Sequence, residues 1–197
     1  MYDYRKITPE QQAEVLRYRQ LRGYPLHEPP HLHQVEGWFL ITAATYEHRS
    51  YFVTEEDRLW LLSELFKELQ AAHIPYTAWV VLPNHYHLLA NCCPLSVISE
   101  PLRRVHARTA AELNRREGIQ GRQVWYRYTD RLIRNDRHFY TTLNYIHYNP
   151  TKHGHVPKPL EWLCSSVHWY LEHEGIEWLR DAWREYPVKD YGQGWDW

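Results

Sequence analysis

Residues 77–91 read TAWVVLPNHYHLLAN, and the fold turns on how this stretch is read. Residues 77–82 are a β-branched and aromatic run, the pattern of a strand. Pro83-Asn84 is a turn signal, and residues 85–90 read as the returning strand. Side chains alternate faces along a strand, so His85 and His87 point the same way and Tyr86 the other. Two imidazoles one strand repeat apart can share a metal ion. The chain holds 14 His, and His-x-His recurs at His31/His33 and His153/His155. Spacing alone therefore does not make a site, since a histidine pair is often just packed and hydrogen-bonded. Only His85/His87 interrupts an apolar strand, and such breaks of local pattern are expected where function is built.

Outward from the hairpin, regular elements alternate. Thr8, Pro9 and Gln11 open a short helix with a capping box, and Gly23 is placed to end it. Residues 24–34 are rich in Pro and His and read as a linker. WFLITAATY, residues 38–46, is the first core strand. Residues 54–73 follow as an amphipathic helix, with Thr54 and Asp57 as its capping box and Leu62, Leu65, Phe66 and Leu69 as its buried stripe. After the hairpin, residues 95–116 form a second helix, on which Ile98, Leu102, Val105, Thr109 and Leu113 recur at helical spacing. QVWYRYTDRLI, residues 123–133, reads as a strand. Asn135 or Asp136 caps a third helix to about Asn149, where Pro150 is expected to stop it. The order β-α-β-β-α-β is that of an α+β, ferredoxin-like (RRM-like) antiparallel sheet with helices on one face, followed by a further helix. That fold hosts many functions, so function must come from the site.

Composition narrows the classes. No apolar run reaches the length of a membrane span, and residues 1–5 carry no apolar signal region. Cys92, Cys93 and Cys164 do not make a disulfide framework, so a reducing, cytoplasmic setting is expected. The net charge of −1 says little, but its distribution is uneven. Residues 101–137 hold ten Arg and no Lys against four carboxylates, whereas residues 161–197 hold eight carboxylates against three cations. Arg suits phosphate contacts, and here it is interleaved with Trp125, Tyr126 and Tyr128. Trp and Tyr fill cores, but they also stack on unpaired bases. The alternative for the Arg cluster is an ordinary solvated helix face.

The third helix reads DRHFYTTLNYIHYN over residues 136–149. Phe139, Leu143 and Ile146 form its core stripe. At about 100° per residue, Tyr145 and Asn149 share one flank with His138 and Thr142. Tyr140 and His147 fall on the other flank, and Tyr148 faces away from the core. Tyr145 offers a phenol and Asn149 an amide oxygen over the same sheet edge. Taken alone, this helix favours an ordinary half-buried tyrosine.

Two motifs in this order, LPNHYHLL at residues 82–89 and YIHYNP at 145–150 followed by Gly154-His155-Val156, carry a family likeness. With the Arg-rich helix and Val124-Trp125 between them, the chain resembles the single-tyrosine HUH transposases, in particular those associated with repetitive extragenic palindromic (REP) elements. The likeness covers roughly residues 38–156. It implies that His85 and His87 hold a divalent metal, Mg²⁺ or Mn²⁺, with Asn149 as third ligand. It implies that Tyr145 is the nucleophile. His147 and Tyr148 depart from the acidic or apolar residues of many relatives. Tyr148 is thereby a competing hydroxyl, against which the helical wheel argues. The implied activity is nicking and strand transfer of single-stranded DNA at hairpins of palindromic repeats, through a 5′-phosphotyrosine. Arg103, Arg104, Arg108, Arg115, Trp125 and Arg127 are the candidates for holding that strand. The implied layout is an N-terminal helix and linker over 1–36, the transposase domain over 37–156, and a Trp-rich acidic extension over 157–197, in a monomer or homodimer. A non-catalytic hairpin-binding regulator on the same fold remains an alternative. A zinc hydrolase is a weaker one, since no further His or carboxylate stands at a readable spacing.

Overall fold

The computed structural model describes residues 8–21 and 35–193. The linker at 24–34, its His31/His33 pair and the Gly23 helix stop lie outside them. The first helix, α1 (Pro9–Leu21), opens with the expected box: Gln11 Oε1 accepts from the Thr8 N–H at 3.0 Å, and Thr8 Oγ1 from the Gln11 N–H at 3.3 Å.

Four strands form one antiparallel sheet among the described residues: β1 (Gly37–Ala44), β2 (Tyr76–Val81), β3 (His85–Cys92) and β4 (Thr129–Leu132), in spatial order β2-β3-β1-β4. β1 and β3 are central and pair along their full length, with Thr42 opposite His87 and Leu40 opposite Leu89. Pleating then divides the residues between two faces. Phe39, Ile41, Ala43, Tyr86, Leu88 and Ala90 look one way. Leu40, Thr42, His85, His87 and Leu89 look the other.

The first face is covered by α2 (Glu55–Ala71) and α3 (Ser99–Arg116). Thr54 caps α2 by accepting the Asp57 N–H at 3.1 Å. Leu61, Leu62, Leu65 and Leu69 are its buried stripe, with Phe66 partly buried beside them. All five apolar positions read for the second helix are buried, although Leu95–Ile98 is a 3₁₀ turn and the α-helix starts at Ser99.

The opposite face carries α4 (Asp136–Lys152), capped by Asn135, whose side chain accepts the His138 N–H at 2.9 Å. The tyrosine-bearing helix thus stands alone across the sheet from α2 and α3. It does not stop at Pro150 as expected but runs two residues further. Proline removes one donor, the partner of the Ile146 carbonyl. So close to the helix end that single loss leaves the last turn in place, and His153 N–H still reaches Asn149 O at 3.0 Å.

The strand read at residues 123–133 is shorter than expected, four residues with one isolated bridge between Thr45 and Trp125. Its first half is taken instead by the core. Trp125 is 7% exposed, stacks on His106 at 4.5 Å, meets Phe52 and Tyr86 edge or tilted, and donates Nε1–H to Thr109 Oγ1 at 3.0 Å. Trp125 is therefore not a stacking platform for bases, and that expectation is corrected.

After residue 156 the chain returns to the sheet. Val81 N–H donates to Cys164 O and Ser166 N–H to Trp79 O, both at 2.9 Å, which satisfies part of the β2 edge. Two short helices, α5 (Val167–His173) and α6 (Ile176–Glu185), then bring residues 187–193 over α4. No helix among the described residues is long and apolar enough to cross a membrane. Trp125→Ala is expected to destabilise the fold by about 3–5 kcal/mol in chemical denaturation, whereas Arg103→Ala, on an exposed helix face, should stay within about 0.5 kcal/mol. A Trp125→Ala protein of unaltered stability would refute the core assignment.

Candidate active site

β3 presents His85 and His87 to α4, and their rings stand 5.0 Å apart, edge to face. Each ring is held from behind. Asn84, the turn residue, donates its Nδ2–H to His48 O at 3.2 Å, which turns its Oδ1 toward His85 Nδ1 at 2.8 Å. That oxygen accepts only, so Nδ1 carries the proton. Thr42 Oγ1 stands 2.8 Å from His87 Nδ1. Both Nε2 atoms then face the helix. Tyr145 OH is 3.3 Å from His87 Nε2, and Asn149 Oδ1 is 3.0 Å from His85 Nε2. All four residues are 2% exposed or less.

The donor set fits a divalent cation. In the neutral imidazole, His85 Nε2 bears a lone pair aimed at another acceptor, Asn149 Oδ1. Meanwhile Asn149 Nδ2 is buried without a hydrogen-bond partner. Two acceptors 3.0 Å apart are an arrangement that a positive charge between them relieves. Ligands at about 2.1 Å from one ion and at right angles to each other stand about 3.0 Å apart, the separation found here. Among the described residues no three His, Cys, Asp or Glu side chains group to hold a metal, and the oxygen available beside the two imidazoles is that of the Asn149 amide.

Of the residues singled out from sequence, the structure brings together His85, His87, Tyr145 and Asn149. It does not bring the Arg-rich helix to them. Arg104 pairs with Glu68 at 2.8 Å, and Arg108 with Glu64 and Glu68 at 2.7 Å each. Burial pushes the Glu68 carboxyl up, but Arg108 and Arg104 outweigh it and hold the group below its ordinary range. Arg103 pairs with Glu100 and Arg115 with Glu112, all on the layer across the sheet from the histidines. Arg127 is exposed in the run leading to β4.

Tyr148 points to α6, its ring 5.3 Å from that of Trp183, and Tyr140 stacks on Tyr186 at 4.9 Å. Neither competes with Tyr145 for the histidines. His147 is buried and bonded to Ser166 Oγ at 3.0 Å, and burial pushes it down to about 3, a neutral strut between α4 and the β2 edge.

Sequence reasoning missed several residues. Thr42 gave no signal, because its place opposite His87 depends on strand register. His153 was set aside, yet its ring lies 5.0 Å from that of His85. It follows Asn149 by one helical turn, which was the available clue. The Tyr191-Gly192 cover was not foreseen either. Tyr191 OH meets Thr142 Oγ1 at 2.5 Å and His138 Nε2 at 2.9 Å, and its ring lies 5.5 Å from that of Tyr145. Gly192 packs so closely on the Tyr145 ring that a Cβ there would overlap it, and Lys152 Nζ donates to Gly192 O at 2.9 Å.

A ferredoxin-like sheet with two same-face histidines, opposed by a helical tyrosine and asparagine, is the arrangement that the resemblance to single-tyrosine HUH transposases implies. No family model matches the chain. A Haemophilus influenzae protein provisionally named a REP-associated tyrosine transposase is 30% identical over 112 residues, which cover 49% of this chain and 61% of that protein. The REP-associated tyrosine transposase of Escherichia coli is 26% identical over 133 residues, covering 67% and 77%. The chain thus spans less than two thirds of the length of the first. A solved structure of a REP-associated tyrosine transposase bound to a REP hairpin superposes with a TM-score of 0.62 at 23% identity, over 76% of this chain and 87% of the other, a likeness of fold. The chain is thus similar to REP-associated tyrosine transposases in sequence and in fold.

Thr42→Val keeps the shape of the side chain but removes the group that orients His87. It is expected to weaken Mn²⁺ binding by about 10- to 100-fold, read by calorimetry or by the Mn²⁺ electron spin resonance signal, with the far-ultraviolet dichroism unchanged. Unaltered Mn²⁺ affinity would remove Thr42 from the site.

Proposed function

We propose that this protein cuts single-stranded DNA beside a hairpin of a palindromic repeat and transfers the strand through a 5′-phosphotyrosine on Tyr145. The observation that carries the reading is the convergence of Tyr145 OH and Asn149 Oδ1, one helical turn apart, on His87 Nε2 and His85 Nε2. The hairpin substrate is supported by the solved relative, which is bound to a REP hairpin.

In the proposed reaction the phenol oxygen of Tyr145 attacks the scissile phosphorus in line with the 3′-oxygen. The P–O3′ bond breaks as the P–O(Tyr) bond forms. The phenol loses its proton and the leaving 3′-oxygen gains one. One phosphoester replaces another, so the bond energy is retained for rejoining to an incoming 3′-hydroxyl. A divalent ion, Mg²⁺ or Mn²⁺, on His85 Nε2, His87 Nε2 and Asn149 Oδ1 would polarise the phosphate and neutralise its developing charge. Asn84 keeps His85 in the tautomer that such binding needs, and Thr42 orients the His87 ring.

A second reading, a non-catalytic hairpin binder, draws on one observation: Tyr145 is 0% exposed, under Tyr191 and Gly192. On the catalytic reading this is a closed resting form, and Tyr191 and Gly192 move aside when DNA arrives.

Tyr145→Phe should retain folding, metal binding and hairpin binding, and lose both nicking and the covalent adduct on a denaturing gel. Tyr148→Phe should keep both. A phosphonucleotide mapped to Tyr148 or Tyr140, with none on Tyr145, would sink the assignment. A wild-type chain that binds the hairpin but forms no adduct in Mg²⁺ or Mn²⁺ would favour the binder. Gly192 has φ +79°, and any Cβ there meets the Tyr145 ring. Gly192→Ala should therefore displace the cover and speed adduct formation severalfold. An unchanged rate would mean that the cover does not limit access.

A further inference from the structure

Between α4, α6 and residues 187–193 lies a cavity of about 590 Å³ whose wall includes Tyr145 itself. Its size is in the range of about 300–1,000 Å³ of small-ligand sites, and protein interiors seldom leave such space unused. The wall is aromatic and cationic. Tyr148 and Trp183 supply rings 5.3 Å apart at 76°, Val188 adds an apolar surface, and Lys152 and Lys189 bring ammonium groups. Lys152 Nζ lies 4.9 Å from the centre of the Tyr145 ring. Three lining residues also carry buried polar atoms with no hydrogen-bond partner in this closed form: Asn144 Oδ1, Thr151 Oγ1 and Trp183 Nε1. These atoms lie beneath the cavity surface, so the wall a ligand meets is that of the rings and the ammonium groups.

We infer that this cavity is a pocket for one unstacked nucleobase of the strand, the base adjoining the phosphate that Tyr145 attacks. The inference rests on the strand-transfer reading for its ligand. A nucleobase is a flat π-surface with donors and acceptors on its edge, joined to an anionic phosphate. Aromatic rings and ammonium groups in one cavity are the complements of the π-surface and of the phosphate. Adjacency to the nucleophile selects the occupant: whatever is bonded to the attacked phosphorus is brought within one nucleotide of this wall. Such a pocket orients the scissile phosphate, because a base held in place fixes the sugar and phosphate attached to it. It also gives a source of sequence preference beside the cut, separate from the hairpin.

The test is read in binding alone. The probe is a fluorescein-labelled REP hairpin with single-stranded flanks, in which one abasic site is moved position by position through the flank. The protein is Tyr145→Phe, which does not cut. At one flank position the abasic site is expected to weaken binding about tenfold, the size of one base–aromatic stack. Trp183→Ala in the same background should weaken the intact probe by a similar factor and cost nothing further on that abasic probe. Unchanged binding of that abasic probe shows that the Trp183→Ala protein is folded, and Trp183→Phe should restore most of the loss on the intact probe. If no abasic position weakens binding, or if Trp183→Ala weakens intact and abasic probes alike, the pocket is refuted. Loss of the adduct by the wild-type chain would refute the strand-transfer reading instead, so the two failures are told apart.

Discussion

The β1–β3 ladder decides where everything else stands. Because Thr42 lies opposite His87, the imidazoles and their supporting hydroxyl share one face of the sheet. A slip of one residue would turn the β3 pair into the α2/α3 layer and replace it with Tyr86. The register is held by burial on both faces. Phe39, Ile41, Ala43, Tyr86, Leu88 and Ala90 are 1% exposed or less against α2 and α3, and Leu40 and Leu89 are as deeply buried on the other side. A strand buried on both faces has no register that leaves its apolar side chains in contact except this one.

Given that ladder, the layering sorts chemistry from architecture. α3 is zipped to α2 by Arg104, Arg108, Glu64 and Glu68. Behind them Trp125, His106 and Tyr86 form a buried polar–aromatic stack, with Tyr86 OH bonded to His106 Nε2 at 2.9 Å. Burial pushes His106 down to about 3, so it stays neutral there. Across the sheet the buried polar groups are of another kind. His85, His87, Tyr145 and Asn149 are as deeply buried as the core, yet Asn149 Nδ2 is unsatisfied and His85 Nε2 faces an acceptor. Polar groups left unsatisfied at that depth cost about 1–3 kcal/mol each. The rest of the sheet carries that cost, which a cation bound as proposed would offset.

What was legible in the sequence was local. The hairpin, the Thr54 cap, the five-residue stripe of α3 and the Tyr145/Asn149 flank each follow from spacing along one element, and all survive in the structure. What failed was relational. Trp125 among arginines looks the same as a base platform or as a core residue, until Thr109, Phe52 and His106 close on it. The α3 arginines look free until Glu64 and Glu68 arrive from another helix. Pro150 looks like a stop because a proline's local cost is visible, whereas how little one lost bond matters this close to the helix end is not. Thr42 and Gly192 were silent for the same reason: one is placed by strand register, the other by a return of the chain over α4.

That return sets up a competition on a single helix face. Tyr191 OH engages His138 and Thr142, Gly192 covers the Tyr145 ring, and Lys152 holds the Gly192 carbonyl. These partners form the α4 flank that a DNA strand would meet under the proposed function. The cover's three hydrogen bonds are worth about 0.5–1.5 kcal/mol each in net terms, to which the burial of one tyrosine ring adds. A sum of a few kcal/mol is enough to keep Tyr145 covered. It is also small enough for phosphate contacts and base stacking to reverse, since a ligand shifts such an equilibrium by its differential affinity for the open state. Lys152 is then released from a carbonyl at the moment a phosphate comes within its reach. The contacts that close the site and those that would hold the strand draw on the same side chains, so only one of the two occupants fits at a time.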